Sequence, residues 1–305
     1  MQIIEMYNLH YMVNAGREII NELKKRISLI EGDYFEICIN CIEKENLKFK
    51  YVEFENSQEP FFIEKTIYRE IPQIGIIEYN DEKKEILVSY IKSEDLTINR
   101  YEIIADGVFQ FIYLISLFYN YFPLHASAVE RKERAILIFG NSGSGKTTTQ
   151  RALLSYGYNF YADDIVFYFN GKIANSGEKI VSITQKTKDI LAECFGIQMK
   201  KNIEHKENVE VIPPKKNIFI SPKVIVFPVI SSKYDIYVMN QDEVLKYLIE
   251  RTISRKIPPI HKINYFNILT KLSQSCIGIK FSRTEEFNRA CFLDAINFID
   301  KTFSS

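Results

Sequence analysis

The chain has 305 residues, and its 39 Lys and Arg balance 39 Asp and Glu, so the formal net charge at pH 7 is zero. Because there is no net field to attract a polyanion, we expect neither nucleic acid nor a membrane surface as a partner. A hydrophobic content of 46%, with 22 Phe and 19 Tyr, is enough for a large core and favours two domains over one.

The five cysteines point to a reducing compartment, because their number is odd and no secretory signal opens the chain. We therefore expect a cytoplasmic protein. Cys38 and Cys41 form one C-x-x-C pattern, whereas a zinc site needs a second pair or two well-spaced histidines. The alternating segment YFEICINCIE favours buried structural cysteines in a strand, and a redox role stays open as the alternative.

Residues 1–100 predict a small N-terminal α+β domain. Strand-like segments (MQIIEMYNL, YFEICIN, FKYVEF and KEILVSYI) are separated by charged turns, and a helix is predicted near residues 15–26. The next segment, GVFQFIYLISLFYNYF at residues 107–122, is the most apolar of the chain. It is shorter than the ~20 residues of a membrane span and carries Gln110 and Asn120, so it predicts a buried core helix.

Residues 101–305 predict an α/β nucleotide-binding domain, because strands alternate with helices. After the apolar helix come a strand HASAV, a charged turn ERKER, a strand AILIF, a glycine-rich loop, a helix at residues 147–155 and a strand NFYADDIVFYF. Asn170 and Gly171 predict a hairpin turn. A core strand PKVIVFPVI and three helices follow, with Asp242 and Thr284 as expected helix caps.

The glycine-rich loop fits the pattern G-x-x-x-x-G-K-[ST], and a strand precedes it and a helix follows it, which is the arrangement that a phosphate-binding loop needs. Its backbone N–H groups would enclose phosphate oxygens, its lysine would contact the β and γ phosphates, and Thr147 would bind magnesium. A glycine-rich turn that binds nothing would explain neither Lys146 nor Thr147. We therefore expect ATP and Mg²⁺ as cofactors. The residues expected to bind the nucleotide are Gly140, Asn141, Ser142, Gly143, Ser144, Gly145, Lys146, Thr147 and Thr148.

The class of nucleotide-binding protein is narrowed by the motifs around the loop. Neither the N-K-x-D string of translation-type GTPases nor the L-S-G-G-Q signature of transporter ATPases occurs. The segments LHASAV with His125, GNSGSGKTT, and YADDIVFY with Asp163 and Asp164 together resemble the catalytic domain of HPr kinase/phosphorylase. The pattern is still more similar to the HPr kinase-related serine kinases of modified-peptide pathways, such as lasso-peptide pathways. The similarity is specific over residues 124–169.

The resemblance implies a P-loop domain of HPr kinase/PEP carboxykinase type and a set of catalytic roles. Asp163 matches the general base that accepts the proton of a serine hydroxyl, and Asp164 matches a neighbour of the metal. If the two carboxylates begin a regular strand, they face opposite sides of the sheet, and each is then expected to have a separate role. His125 belongs either to the site or to the core, with even weight. The family's second glycine-bearing signature has no clear copy, and GEKIVSIT is the nearest stretch.

The sequence thus predicts an ATP-dependent kinase for a serine of a ribosomally made peptide or small protein, with the N-terminal domain contributing to acceptor recognition. Two alternatives remain at this stage. One is a kinase of a small hydroxylated metabolite, and the other is a nucleotide-dependent regulatory protein that hydrolyses ATP slowly or not at all. Formation of a homo-oligomer is also left open.

Overall fold

The computed structural model describes the chain in two compact units, Met1–Asn120 and Tyr121–Ser305. Both contain strands and helices, so the protein is a mixed α/β chain with several sheets. The described residues are 2–6, 9–26, 29–31, 37–44, 61–63, 66–71, 74–91, 99–175, 180–197, 207–210, 219–252, 257 and 259–305.

The first unit is built on one mixed sheet with the strand order β3-β1-β2-β4-β8-β7-β6-β5. The pairs β2–β4 and β4–β8 are parallel, and the other neighbours are antiparallel. The predicted helix near residues 15–26 is confirmed as α1, whereas the predicted strand FKYVEF lies outside the described residues. The elements are β1 Gln2–Met6, β2 Leu9–Asn14, α1 Arg17–Arg26, β3 Leu29–Glu31, β4 Ile37–Lys44, β5 Phe61–Ile63, β6 Thr66–Ile71, β7 Gly75–Asn80, β8 Glu85–Ile91 and α2 Arg100–Ile115.

Helix α2 packs in the first unit, so the boundary falls at Asn120 rather than at residue 100 as the sequence predicted. A Cβ on Gly107 would lie 3.1 Å from Ile77 Cδ1 and 3.2 Å from Ile71 Cδ1, which places this helix directly on the sheet. The predicted core helix is confirmed by its burial. With the 3-10 turn Ser116–Tyr119 it forms 20 helical residues, long and apolar enough to cross a membrane, but 61% buried within the protein as core helices are.

The second unit contains a six-stranded sheet with the order β12-β10-β11-β17-β19-β18, a three-stranded sheet β14-β13-β9 and a pair β15-β16. Its strands are β9 Phe122–Leu124, β10 Ala126–Arg131, β11 Arg134–Phe139, β12 Asn159–Ala162, β13 Val166–Phe169, β14 Lys172–Asn175, β15 Ile180–Ile183, β16 Glu207–Glu210, β17 Ser221–Ile230, β18 Asp235–Val238 and β19 Ile277–Arg283. Its helices are α3 Lys146–Leu154, α4 Gln185–Phe195, α5 Gln241–Arg251, α6 Pro259–Ser275 and α7 Arg289–Ser304.

Four of the six strands in the larger sheet of the second unit have their carboxyl ends at the same edge of the sheet. Strands β11, β17 and β19 are parallel, and β12 runs in the same direction because β10 is antiparallel to both β11 and β12. The carboxyl ends of β12, β11, β17 and β19 therefore meet the amino end of β10. Residues that follow the four strands, or precede β10, are brought to this edge.

Two predicted turns are confirmed by their backbone angles. Lys132 and Glu133 join β10 to β11 with φ of 54° and 60°, and Asn170 and Gly171 join β13 to β14 with φ of 47° and 80°. Two consecutive positive φ values in a two-residue hairpin loop are those of a type I′ turn, whose twist matches the flanking strands. These turns fix the register of both hairpins.

Three details of the prediction are wrong. The segment NFYADDIVFYF is not one strand, because β12 pairs with β10 while β13 pairs with β9 and β14 in a different sheet. Helix α5 is capped by Asn240 with Glu243, in a reciprocal capping box, rather than by Asp242. Helix α7 is capped by Asn288, whose Oδ1 accepts the N–H of Cys291 at 3.0 Å, so Thr284 lies in the preceding loop.

Candidate functional site

Residues 140–147, called the glycine loop below, comprise the connection from β11 to α3 and the first two residues of α3. They lie at the edge of the sheet where the carboxyl ends of β11, β12, β17 and β19 meet. Gly143 and Gly145 have φ of 79° and 109°, a region that residues with a Cβ rarely adopt. Gly145 is also the N-cap of α3 and offers no side chain to the first N–H groups of the helix. The positive end of α3 is therefore open to an anion.

The predicted nucleotide-binding residues differ in exposure along the loop. Asn141, Ser142 and Gly143 are exposed at its tip, Gly145, Thr147 and Thr148 are half-buried, and Gly140, Ser144 and Lys146 are buried. The hydroxyl of Thr148 lies 2.9 Å from that of Thr187, so it links α3 to α4. We therefore expect Thr148 to bind a ligand through its backbone N–H. The nine consecutive residues thus form the loop after β11 and the first turn of α3.

Two buried polar groups test whether the loop fits a phosphate chain. Lys146 is 7% exposed, and its ammonium donates to the carbonyl of Gly140 at 2.8 Å, so the side chain folds back over the loop. Ser144 Oγ is buried and has no hydrogen-bond partner within the described part of the chain. A buried hydroxyl without a partner costs about 1–3 kcal/mol, and a phosphate oxygen would remove that cost. The loop therefore fits phosphate.

Asp163 and Asp164 lie where the chain passes from β12 to β13, in a tight turn rather than at the start of a strand. Asp164 has a φ of 59°, and the N–H of Ile165 donates to the carbonyl of Asp163 at 2.7 Å. The alternation of a regular strand, from which we expected the two carboxylates to separate, is therefore absent here. The turn separates them instead, because Asp163 is 5% exposed while the Asp164 side chain is 68% exposed.

The buried Asp163 carboxylate has an unfavourable electrostatic environment. Burial and the neighbouring Asp164 raise its pKa, while a hydrogen bond from Ser127, the Arg151 guanidinium and a backbone N–H lower it. The Ser127 bond spans 2.7 Å from Oγ to Oδ1. Arg151 is itself buried, which lowers its pKa. A divalent cation beside Asp163 would stabilise the ionised carboxylate.

Magnesium fits this edge better than a transition metal does. Within the described ranges, no group of three or more His, Cys, Asp or Glu side chains could hold a metal on its own. Magnesium does not require such a group, since it is commonly bound by one or two carboxylates together with substrate phosphates and water. Thr147, Asp163 and Asp164 are the oxygen donors available for it here.

His125 lies between β9 and β10, beside Asp164 and partly exposed rather than in the core. Its side chain is 34% exposed, and its Nε2 is 3.8 Å from Asp164 Oδ1. The sequence left both positions open. The structure places the imidazole beside the exposed carboxylate, where the two groups form a surface that a substrate can reach.

Gln150, which the sequence did not single out, holds the end of β12 in place. Its Nε2 donates to the carbonyl of Ala128 at 3.1 Å and to that of Ala162 at 2.6 Å. The register of β10 against β12 shifts just after Ala128, so the amide clamps the two strands at an irregular point. Gln150 thereby fixes the residue that immediately precedes Asp163.

Arg283 is the second residue that the sequence missed. It ends β19, and its Nη2 donates to the carbonyl of Gly143 at 3.4 Å, so the guanidinium lies against the glycine loop. No carboxylate pairs with it among the described residues, and burial lowers its pKa. The mostly apolar segment CIGIKF, which Ser282 and this arginine follow, was the available signal, because an arginine at the carboxyl end of a strand of this sheet must lie at the same edge.

The C-x-x-C pattern carries no metal site in the described part of the chain. Cys38 and Cys41 are free thiols on β4, three residues apart, and such residues point to opposite faces of a sheet. Both are half-buried rather than fully buried. Burial raises the pKa of both thiols, that of Cys41 to about 12, which disfavours the reactive thiolate.

Comparisons with known proteins do not show a family for this chain. No family of known proteins matches its sequence, and no curated protein matches it. Among solved structures, it is similar to the HPr(Ser) kinase/phosphatase from Coxiella burnetii, with 12% identity over 59% of this chain and 88% of that chain, and a TM-score of 0.22. A similarity this low assigns no function, which has to be inferred from the site itself.

Proposed function

We propose that the chain is an ATP-dependent, magnesium-requiring kinase that transfers a phosphoryl group to the hydroxyl of a serine in a peptide or small protein. The observation that carries this proposal is that the glycine loop, Asp163, Asp164 and His125 all lie at the same end of the six-stranded sheet. A loop that holds phosphates next to an exposed carboxylate is what phosphoryl transfer to a hydroxyl requires.

The glycine loop supplies the phosphate site. The N–H groups of residues 143 and 145–148 and the Lys146 ammonium would bind phosphate oxygens, and Ser144 Oγ would gain the partner that it lacks. Magnesium, when bound, would neutralise charge on the phosphates and fix their orientation. Thr147 and a neighbouring carboxylate are the groups of this chain that would hold it.

The environments of the two carboxylates favour roles opposite to those that the sequence resemblance implied. A general base has to approach a hydroxyl on an incoming acceptor, and Asp164 is exposed while Asp163 is enclosed and bonded to Ser127. We therefore assign proton abstraction to Asp164, with His125 beside it, and a metal-facing role to Asp163. In this scheme the serine oxygen forms a bond to the γ-phosphorus, the bond to the bridging oxygen breaks, ADP leaves, and Asp164 takes the hydroxyl proton.

The acceptor class rests on the sequence resemblance to serine kinases of modified-peptide pathways. The first unit has no site motif of its own, and we assign it a part in acceptor recognition. A cytoplasmic location and a nucleotide partner follow from the same proposal. A small hydroxylated metabolite as acceptor, or slow hydrolysis of ATP by a regulatory protein, are the alternatives that an experiment has to separate.

The direct test is incubation of the purified chain with γ-labelled ATP and magnesium, in the presence of serine-containing peptides or a pool of small metabolites. We expect label on a peptide serine, identified by mass spectrometry. Label on a small metabolite would replace the peptide acceptor, and release of free phosphate without any labelled acceptor would support the regulatory alternative instead.

A further inference from the structure

The order of strands indicates in which direction a nucleotide bound at the glycine loop would extend along the edge of the sheet. In the six-stranded sheet, β10 and β12 lie on one side of β11, which leads into the glycine loop, while β17 and β19 lie on the other side. The carboxylates and His125 belong to the β10–β12 side. If the terminal phosphate meets the acceptor there, the rest of the nucleotide has to extend across the loop toward β17 and β19.

A cavity lies on the β19 side of the glycine loop. It has a volume of about 110 Å³ and is formed by β19, the loop that follows it and the start of α7. Neighbouring strands are about 4.8 Å apart, and β19 is two strands from β11, so the cavity is displaced by roughly 10 Å from the glycine loop. A nucleotide base is separated from its β phosphate by the ribose and the α phosphate, a span of comparable size.

The lining of the cavity suits a flat ring. Phe281 and Phe292 are buried and form part of its wall, while the rings of Tyr234 and Phe287 are only partly buried. Apolar cavities of roughly 150 Å³ bind a single aromatic ring. This cavity is smaller, about 110 Å³, but it is only partly enclosed. Aromatic walls bind bases of any sequence because every base presents a π face.

Arg283 connects the cavity to the glycine loop. Its side chain lines the cavity, while its Nη2 contacts the Gly143 carbonyl and its Nε lies 3.5 Å from the position of a Cβ on Gly145. The two bonds that the guanidinium makes, to Gly143 and to Thr284, are long at 3.4 and 3.3 Å. An arginine that only held the loop in place would not need to face a cavity as well.

We propose that this cavity receives the base of the nucleotide and that Arg283 binds the phosphate nearest to the base. The proposal deepens the proposed function and rests on it, since it presupposes that the glycine loop binds the phosphates. It adds a base subsite made of Tyr234, Phe287 and the loop after β19, on the side of the sheet away from the carboxylates.

Cys291 provides a direct probe, because it is a partly exposed free thiol that lines the cavity. Alkylation of the thiols is followed by mass spectrometry with magnesium and either ATP or inorganic tripolyphosphate. At a free ATP concentration ten times its dissociation constant, we expect alkylation of Cys291 to slow about tenfold, as mass action requires when the bound form is protected. Tripolyphosphate, which has no base, should not slow it, and the alkylation rate without any ligand is the reference.

A pair of variants tests the aromatic wall. Phe287→Ala removes a ring of the cavity, whereas Phe298→Ala removes a partly buried ring of the same core that does not line it. We expect Phe287→Ala to weaken ATP binding about tenfold, within the range for loss of one base–aromatic stack, and to leave tripolyphosphate binding unchanged. Phe298→Ala should change neither affinity.

The outcomes separate the two proposals. If ATP binds in a Lys146-dependent manner, yet Cys291 is alkylated at the same rate and the two phenylalanine variants bind ATP equally, the base subsite is wrong and the phosphate site stands. If neither ATP nor tripolyphosphate binds the wild-type chain, the proposed function is wrong and the base subsite fails with it. Protection of Cys291 by ATP alone, together with the selective loss in Phe287→Ala, is the expected result.

Discussion

The hydroxyl of Ser127 donates to the carboxylate of Asp163 across the β10–β12 pair, with 2.7 Å between Oγ and Oδ1. This bond lowers the pKa of Asp163, against burial and the charge of Asp164, which raise it. The effects that raise the pKa of Asp163 are larger than those that lower it, so its pKa lies above the usual value for Asp. A buried carboxylate at the same end of the sheet as the glycine loop is therefore held in an environment that disfavours its charge, which is a common property of functional sites.

The raised pKa predicts how stability depends on pH. A carboxyl group whose pKa is higher in the folded than in the unfolded chain contributes stability that is full below the unfolded pKa, ordinarily 3.8 for Asp, and is lost as pH rises through the folded value. We expect Asp163→Asn, which cannot ionise, to gain stability relative to the wild type as pH rises above that range. Ser127→Ala should enlarge the pH dependence of the chain that retains Asp163.

Chemical denaturation at a series of pH values, without nucleotide, measures this effect. Asp235→Asn is the matched control, because Asp235 is exposed on β18 at some distance from the glycine loop. If the difference between Asp163→Asn and wild type were as flat with pH as the control, the unfavourable environment assigned to Asp163 would be wrong.

The two aspartates should differ in their kinetic effects. Asn cannot accept the proton, so Asp164→Asn should keep magnesium-ATP binding and lose about 10²- to 10⁴-fold in kcat, the usual contribution of general-base catalysis. The loss is smaller if the transition state is loose. Asp163→Asn should instead raise the magnesium concentration needed for half-maximal rate.

Steady-state rates at increasing magnesium concentrations separate these roles. Should Asp163→Asn alone lose turnover at saturating magnesium while Asp164→Asn needs more of the metal, the roles have to be exchanged back to those that the sequence implied. Equal rates for both variants and the wild type would exclude the mechanism.

Substitution of Gly145 should remove nucleotide binding. Its φ of 109° and the nearby Arg283 leave a Cβ in strained backbone and in contact with the guanidinium. Gly157 has a φ of 81°, and a Cβ there would meet no atom within 4 Å. Gly145→Ala and Gly157→Ala should each destabilise the chain by about 1–2 kcal/mol, the cost of a left-handed residue with a Cβ.

Only Gly145→Ala should abolish binding of magnesium-ATP in a titration that follows intrinsic tyrosine fluorescence. Retention of full affinity by that variant would mean that the loop does not enclose phosphate as proposed.

Gln150 should matter more for catalysis than for folding. Replacing it by Ala removes the bonds to the carbonyls of Ala128 and Ala162 and should cost about 1–3 kcal/mol of stability, because both carbonyls lose a buried partner. The end of β12 then loses its position, and we expect kcat to fall more than the change in stability explains. Gln185→Ala, at an exposed amide that bonds to Asp189, should change neither quantity. If rescue of stability by low temperature also restored kcat, Gln150 would be merely structural.

Local sequence signals were sufficient for the parts of the fold that depend on neighbouring residues. The glycine loop between β11 and α3 and the Asn170–Gly171 turn were predicted because particular residue types are needed for positive φ. The break of the chain at Asp163–Ile165 was not, since it arises when β12 and β13 pair with strands of two different sheets. The local sequence pattern does not show with which strands β12 and β13 pair.

Gln150 and Arg283 were both missed by sequence reasoning for the same reason. Gln150 acts on Ala128 and Ala162, and Arg283 acts on Gly143, which lies far from it in the chain. Such contacts follow from the strand order, which alternation and motif spacing do not reveal. The start of α7 was misplaced for a more local reason, because Thr284 and Asn288 both suit a helix cap and the structure uses the second.

The central claim is that the Lys146 ammonium binds nucleotide phosphate, and isothermal titration with magnesium-ATP tests it most directly. Lys223 is the matched control, since its Nζ also donates to a backbone carbonyl, that of Phe303, at 2.8 Å, the same length as the Lys146 bond to Gly140. We predict that wild type and Lys223→Ala bind with the same affinity, while Lys146→Ala shows no binding and keeps its fold by circular dichroism. Equal affinity of Lys146→Ala and wild type would contradict the account.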